Sequence, residues 1–165
     1  MENSNLEDMA VDDLKQLVTF ILAEEVYGVD VGQVQEIISH QKFTKLPEQP
    51  AYMPGVFNLR GLVVPAIDLR LRFGLEAKEY DGNTVILVLN TSNRTIGMVV
   101  DAVSDVLTLS ADEIQPPPEL TGGGQKEYIK ALGKRGDEMV ILLDVDRLLN
   151  TEELENIENI ASASG

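Results

Sequence analysis

Leu17-Val18-Thr19-Phe20-Ile21-Leu22 opens a stretch that continues through Val26-Tyr27-Gly28-Val29-Asp30-Val31 to Val34-Gln35-Glu36-Ile37-Ile38. Set against residues 86–107 without a gap, Leu-Val-Thr-Phe falls on Ile-Leu-Val-Leu and Gly28 falls on Gly97. Val31 meets Val100, Val34 meets Val103, Glu36 meets Asp105, and Ile37-Ile38 meet Val106-Leu107, all 69 positions apart. Further along, Ile67-Asp68 answers to Leu143-Asp144 at a spacing of 76. A spacing held over this length reads as an internal repeat, and two copies are too few for a solenoid. The expected fold is a pair of small β-barrels sharing one interface. Its rival is a chance likeness between short apolar runs.

Around this stretch the chain reads as mostly strands. Leu17–Leu22 and Val26–Val31 make a hairpin pattern. Val31, Val34, Ile37 and Ile38 are spaced like one face of a short helix. Phe43–Leu46 reads as a short strand closed by a turn at Pro47–Pro50. Asn58-Leu59-Arg60-Gly61 is a turn before the apolar run Leu62–Ile67, where Pro65 predicts an edge strand or a bulge. Asp68 caps a brief helical turn, Leu69–Phe73, ended by Gly74. Further β or β-plus-helix segments follow at Asn83–Asn90, Thr95–Val100 and Val103–Leu109. Residues 110–125, with Pro116-Pro117-Pro118 and Gly122-Gly123-Gly124, read as a loop. Tyr128–Leu132, a turn at Gly133–Gly136 and Met139–Leu143 form a last hairpin. Asn150 and Glu153 cap a C-terminal helix whose apolar stripe is Leu154, Ile157, Ile160 and Ala161.

Composition removes most chemistry. The 165 residues contain no cysteine and one histidine, His40. Disulfides, thiolate metal sites and histidine clusters are thereby excluded. Net charge is −15, and much of it lies in the ends: five acids and no base in residues 1–13, four acids and no base in residues 150–165. That leaves −6 for residues 14–149. Such a field disfavours nucleic acid and anionic lipid. Residues 1–13 read as a flexible acidic arm, 14–153 as the folded body, and 154–165 as the end of the last helix and a tail. There is no 18-residue apolar run and no basic leader, so the expected location is cytoplasmic.

Candidate sites weigh up as follows. Ser39-His40 are sequence neighbours, a poor arrangement for a nucleophile and its base. Asp68, Asp101 and Asp144 each follow a β run and raise a carboxylate-dependent enzyme, which would need Asp68 and Asp144 to face each other across a cleft. Helix capping accounts for Asp68 and Asp144 more simply. The triglycine lacks the Gly-Lys-Ser/Thr ending of a phosphate loop. No metal ligand set and no cofactor is expected. Arg60 stands out in a body with few cations, and two readings remain open: an arginine that ties down its own loop, or one that faces a partner.

Several strings resemble the CheW family of bacterial chemotaxis coupling proteins: Glu25-Val26-Tyr27-Gly28-Val29-Asp30-Val31, Pro54-Gly55-Val56-Phe57-Asn58-Leu59-Arg60-Gly61 with Leu62-Val63-Val64-Pro65-Ala66-Ile67-Asp68-Leu69-Arg70, and Gly97-Met98-Val99-Val100-Asp101. The likeness runs from about Lys15 to Glu153. It implies a mainly β fold of two SH3-like, five-stranded barrels on a shared core, with short helices. It implies a non-enzymatic adaptor joining the regulatory domain of the histidine kinase CheA to the cytoplasmic tips of methyl-accepting chemoreceptors. A stand-alone adaptor, monomeric when free and recruited to receptor arrays, is the expected form; an adaptor of a related non-flagellar array is the alternative. Carried over by position, receptor contacts fall on Val34, Glu36, Ile37, Gly55, Asn58 and Arg60. Kinase contacts fall on Val85, Ile86, Gly97, Val106 and Leu120. Val34 and Ile37 could equally be core, and Gly55 and Gly97 positions that a side chain would disturb.

Overall fold

The computed structural model describes residues 14–91, 94–117 and 128–148. The acidic arm, Leu120, the triglycine and the C-terminal helix expected from the sequence lie outside these residues. Eleven strands are described, in two sheets. β1 (Lys15–Leu22) and β2 (Glu25–Asp30) form the expected hairpin, turning through Ala23 and Glu24, both at positive φ. Asp30 accepts the Gly32 N–H to cap a 3-10 turn, Val31–Gln33. β3 (Val34–Ser39) follows where a helix was expected. Its residues alternate half-buried and exposed, but Ile37 is apolar on the exposed side, which turns a strand pattern into a helical-looking one.

The expected strand at Phe43–Leu46 is reduced to one bridge, Thr44 to Val56. β4 (Gly55–Leu59) and β5 (Leu62–Asp68) make the next hairpin, and α1 (Leu69–Arg72) is capped by the Asp68 carboxylate on the Leu71 N–H. β5 is an interior strand paired without a register shift, contrary to the edge or bulge expected from Pro65. Its pairing to β7 begins only at Ala66, so the residue without an N–H sits just outside that ladder. β6 (Val85–Asn90), β7 (Thr95–Val100) and β8 (Ala102–Leu109) follow. The supposed loop after β8 begins with a 3-10 turn at Ala111–Glu113, where the Glu113 carboxylate accepts the Ser110 N–H, and a two-residue strand β9 (Ile114–Gln115). β10 (Ile129–Arg135) and β11 (Glu138–Leu143) turn at Gly136–Asp137, not at Gly133–Gly136. Gly133 belongs to β10, where a Cβ would come 2.4 Å from the Leu109 side chain.

One sheet runs β8-β1-β2-β11-β10-β9 and the other β3-β6-β7-β5-β4. In the first, a single short turn separates β8 from β9, the two edge strands; in the second, the Thr44 bridge, just after β3, meets β4 at the far edge. We call them the first and second barrel. The 69-residue spacing reproduces their pairing. Thr19 opposite Gly28 becomes Val88 opposite Gly97, and Phe20 opposite Val103 becomes Leu89 opposite Val34. Even the register shift next to those pairs recurs, between Val18 and Phe20 in one barrel and between Val34 and Glu36 in the other. Applying 69 and 76 together carries the parallel pair Gly28–Leu142 onto Gly97–Ala66. Chance likeness does not produce matched registers.

Three apolar clusters follow from this duplication. The largest holds both members of repeat pairs, such as Ile67 with Leu143, Leu69 with Val145 and Val29 with Met98, so it is the shared core. Phe57, Val64, Ile86 and Val88 fill the second barrel; Leu17, Leu109, Val140 and Leu142 fill the first. Among the described residues no helix is long and apolar enough to cross a membrane.

Candidate functional site

Pairing of Leu59 with Leu62 leaves Arg60 and Gly61 as a two-residue turn, with φ of +52° and +90°. Both central residues are left-handed, as the mirror-image turns that match strand twist require. Glycine accepts that conformation freely; arginine does so at a cost. Asn58 secures the turn, its Oδ1 accepting the Gly61 N–H at 2.8 Å. The turn projects Arg60 across to β3, where Nη1 donates to Glu36 Oε1 at 3.1 Å and Nη2 donates to Glu36 Oε2. The two-point bond lowers the Glu36 carboxyl below its ordinary range and raises the guanidinium, with mutual charge adding to both shifts.

So exposed a pair adds little to stability. Its effect is geometric, since the two-point bond joins the turn to β3. The Arg60 side chain stays 66% exposed while bonded. The first sequence reading is met, since Arg60 ties its turn to β3, and the side chain remains exposed.

The other candidates divide. Ile37 is 44% exposed on β3, whereas Val34 is half-buried and packs on the shared core. Asn58 is exposed beside Arg60. Gly55 is internal: at φ +152°, its Cβ would lie 2.3 Å from the Thr44 carbonyl oxygen. Gly97 is internal as well, with a Cβ position 2.6 Å from the Phe57 ring and 2.9 Å from Ile86. Ile86 itself is fully buried, so its side chain offers no outer surface. Val85 is half-buried against the shared core. Val106 is 56% exposed on β8, and Leu120 lies outside the described residues. Sequence reading missed Leu62 and Val63, which stand about half-exposed just past the Arg60 turn. The signal available was Pro65, which marks the start of β5 as the part lacking a β7 partner.

The carboxylates are occupied separately. Asp68 caps α1 and accepts the Tyr80 hydroxyl at 2.9 Å, and burial followed by the Asp68 charge raises the Tyr80 phenol. Asp144 stands before the last 3-10 turn (Val145–Arg147), but unlike Asp68, and contrary to the cap expected, its carboxylate makes no capping hydrogen bond; it lies 3.5 Å from Arg147 instead. Each serves its own element, not a common cleft. Asp101 accepts from Arg70 at 2.8 and 2.7 Å and from the Ala23 N–H at 3.0 Å, joining α1 to the β1–β2 turn. Burial pushes the Asp101 carboxyl up, but these hydrogen bonds together outweigh it and hold the group below the ordinary aspartate range. Arg72 donates to the Leu148 carbonyl at 2.7 Å while lying over Tyr52 and Tyr128. His40 lies at a tilt against Tyr80, 5.5 Å between centroids. Among the described residues no group of three or more His, Cys, Asp or Glu could hold a metal.

Comparison with known proteins agrees with the fold. The family model described as CheW-like domain matches residues 16–153. Over 149 residues the chain is 43% identical to chemotaxis protein CheW of Klebsiella aerogenes, covering 90% of each chain. It is 38% identical over 159 residues to chemotaxis protein CheW of Treponema pallidum, covering 92% of each. The crystal structure of the scaffolding protein TtCheW from Thermoanaerobacter tengcongensis superimposes with a TM-score of 0.78 at 33% identity, covering 84% of this chain and 94% of that one.

Proposed function

The chain belongs to the CheW family, and from that premise we propose that it is a chemotaxis adaptor coupling the histidine kinase CheA to methyl-accepting receptors. On this reading it works in the cytoplasm at the receptor array, and its surfaces do the work without catalysis. The observation that carries the receptor side is the Glu36–Arg60 pair: a two-point ion pair in the open that joins the β4–β5 turn to β3, with Leu62 exposed just past Arg60. Receptor tips are helical hairpins in the family. A charged pair beside an exposed aliphatic side chain suits a helix face, with Arg60 orienting and Leu62 supplying apolar contact. The kinase side, on the same reading, uses the β8 surface, where Val106 is open; Gly97 and Ile86 are internal to the second barrel and add no surface to it.

The test is receptor-dependent autophosphorylation of the kinase, reconstituted on receptor-bearing membranes with and without this protein. The wild-type chain raises kinase activity only when receptors are present. Arg60→Ala, shown folded by circular dichroism, loses that activation, and Val106→Glu loses co-sedimentation with the kinase while keeping receptor binding. No activation by the wild-type protein with its cognate receptor and kinase overturns the proposal.

A further inference from the structure

The ladder between β1 and β8 is interrupted at one step. Its register passes from Val18 opposite Val106 to Phe20 opposite Val103, which leaves Ser104 and Asp105 on β8 facing Thr19 alone on β1. An extra residue of this kind is a β-bulge, and it takes main-chain groups out of the ladder. Here a side chain receives them. Thr19 Oγ1 donates to the Asp105 carbonyl at 2.8 Å and accepts the Asp105 N–H at 3.0 Å, so both main-chain groups of Asp105 end on one hydroxyl. Thr19 is 3% exposed, and by strand alternation its side chain points the same way as Leu17, into the first barrel.

The twin site is built without a hydroxyl. Val88, 69 positions after Thr19, belongs to the cluster filling the second barrel, and Glu36 pairs with it directly, with Gln35 left over between Val34 and Glu36. The Glu36 carboxylate reaches Arg60, whereas Asp105 turns back on its own strand and its Oδ1 accepts the Val106 N–H at 2.7 Å. That takes up a donor on a strand that ends its sheet, where free donors invite strand addition. What β8 offers at this point is the Val106 side chain, 56% exposed. We propose that Thr19 is a positioning residue for the kinase contact: its buried hydroxyl holds the bulge at Asp105 and so sets how β8 presents Val106. This role rests on the β8 surface being the kinase face. With a methyl in place of the hydroxyl, the Asp105 N–H and carbonyl lose their partner, and the pairing left to them is the one Glu36 makes with Val88.

Thr19→Val installs the residue of the twin site in nearly the same shape, and Thr19→Ser keeps the hydroxyl. Binding of the full-length chain to the intact kinase is measured by titration calorimetry, with co-sedimentation on receptor-bearing membranes beside it. Thr19→Val, its fold shown by a dispersed amide spectrum, should bind the kinase about tenfold more weakly, the scale of one hydrogen bond. It should co-sediment with receptors as the wild type does, and Thr19→Ser should bind both partners normally. Thr19→Cys, a weak donor and acceptor, should also bind the kinase more weakly and serves if the valine variant does not fold. In the wild-type chain the Asp105 amide should exchange with deuterium at least about tenfold more slowly than in an unstructured peptide. Full kinase affinity in folded Thr19→Val overturns the proposal, as does an equal loss of receptor binding, a Thr19→Ser variant as weak as Thr19→Val, or an unprotected Asp105 amide. Val106→Glu separates the two levels. If it too binds the kinase at full strength, the β8 surface falls along with the role of Thr19; if it alone weakens binding, only the role of Thr19 falls.

Discussion

The first and second barrels share strand order, register and even a register shift, yet the second carries the ion pair and the first does not. Glu36 corresponds to Asp105, and Arg60 corresponds to Gly136 at the same place in the β10–β11 turn. A left-handed turn position is therefore occupied by the residue that tolerates it in one barrel and by a strained arginine in the other. The exposed apolar positions behave differently. Ile37 and Val106 correspond and are both open, as are Val63 and Met139. Duplication has kept the framework and the apolar surface points, while the ion pair and the aromatic interior are features of one copy. Strain kept at Arg60 and relieved at Gly136 accords with the receptor contact proposed for Arg60.

The comparison can be pressed by mutation, and interior changes should cost most. Phe57→Ala removes the aromatic filling of the second barrel and should lower unfolding free energy by about 3–5 kcal/mol in urea titration. A loss no larger than that of a surface alanine would mean the aromatic filling is dispensable. Next come the paired glycines. Gly97→Ala drives a methyl into Phe57 and Ile86 and should cost about 1–3 kcal/mol. Gly28→Ala meets the Val140 side chain at 3.1 Å, with Leu17 at ordinary contact distance, and should cost less. Equal losses would break the assigned difference in packing.

Acid should then act on the tie between the barrels. The Asp101 carboxyl is lowered on folding, so its contribution is present above the ordinary aspartate value. It is lost as pH falls through the lower folded value. Asp101→Asn should be less stable than wild type near neutrality, with a gap that narrows below about pH 4; a gap constant across that range would remove Asp101 from the account. The smallest effect on stability belongs to Arg60→Gly. It should leave the unfolding midpoint unchanged or slightly higher, while receptor-dependent kinase activation is lost. A folded variant that still activates would reduce Arg60 to turn structure.

Much of the framework was readable from residue order because duplication writes itself twice: Gly28 with Gly97 and Asp68 with Asp144 set both spacings. What failed was local. Ile37 is an apolar residue on an exposed face, so its strand imitated a helix. Leu62 and Val63 looked like core because an apolar run does not reveal where its neighbour strand begins. The Glu36–Arg60 bond joins residues 24 apart and the Asp101–Arg70 bond residues 31 apart, and spacing alone does not choose a partner for a charge. The resemblance placed Glu36 and Arg60 on one surface; only the β4–β5 turn and the β3 register make them one unit.

Neither barrel is built from a continuous stretch of chain. The first half of the sequence lends β1 and β2 to one barrel and β3, β4 and β5 to the other, and the second half does the reverse. A half-length chain would own two incomplete sheets, and only a second copy, exchanging strands, could complete them. The molecule thus has the form of a strand-exchanged dimer made permanent by one covalent connection. Once the halves were joined, each position was free to diverge from its twin, which a true homodimer forbids.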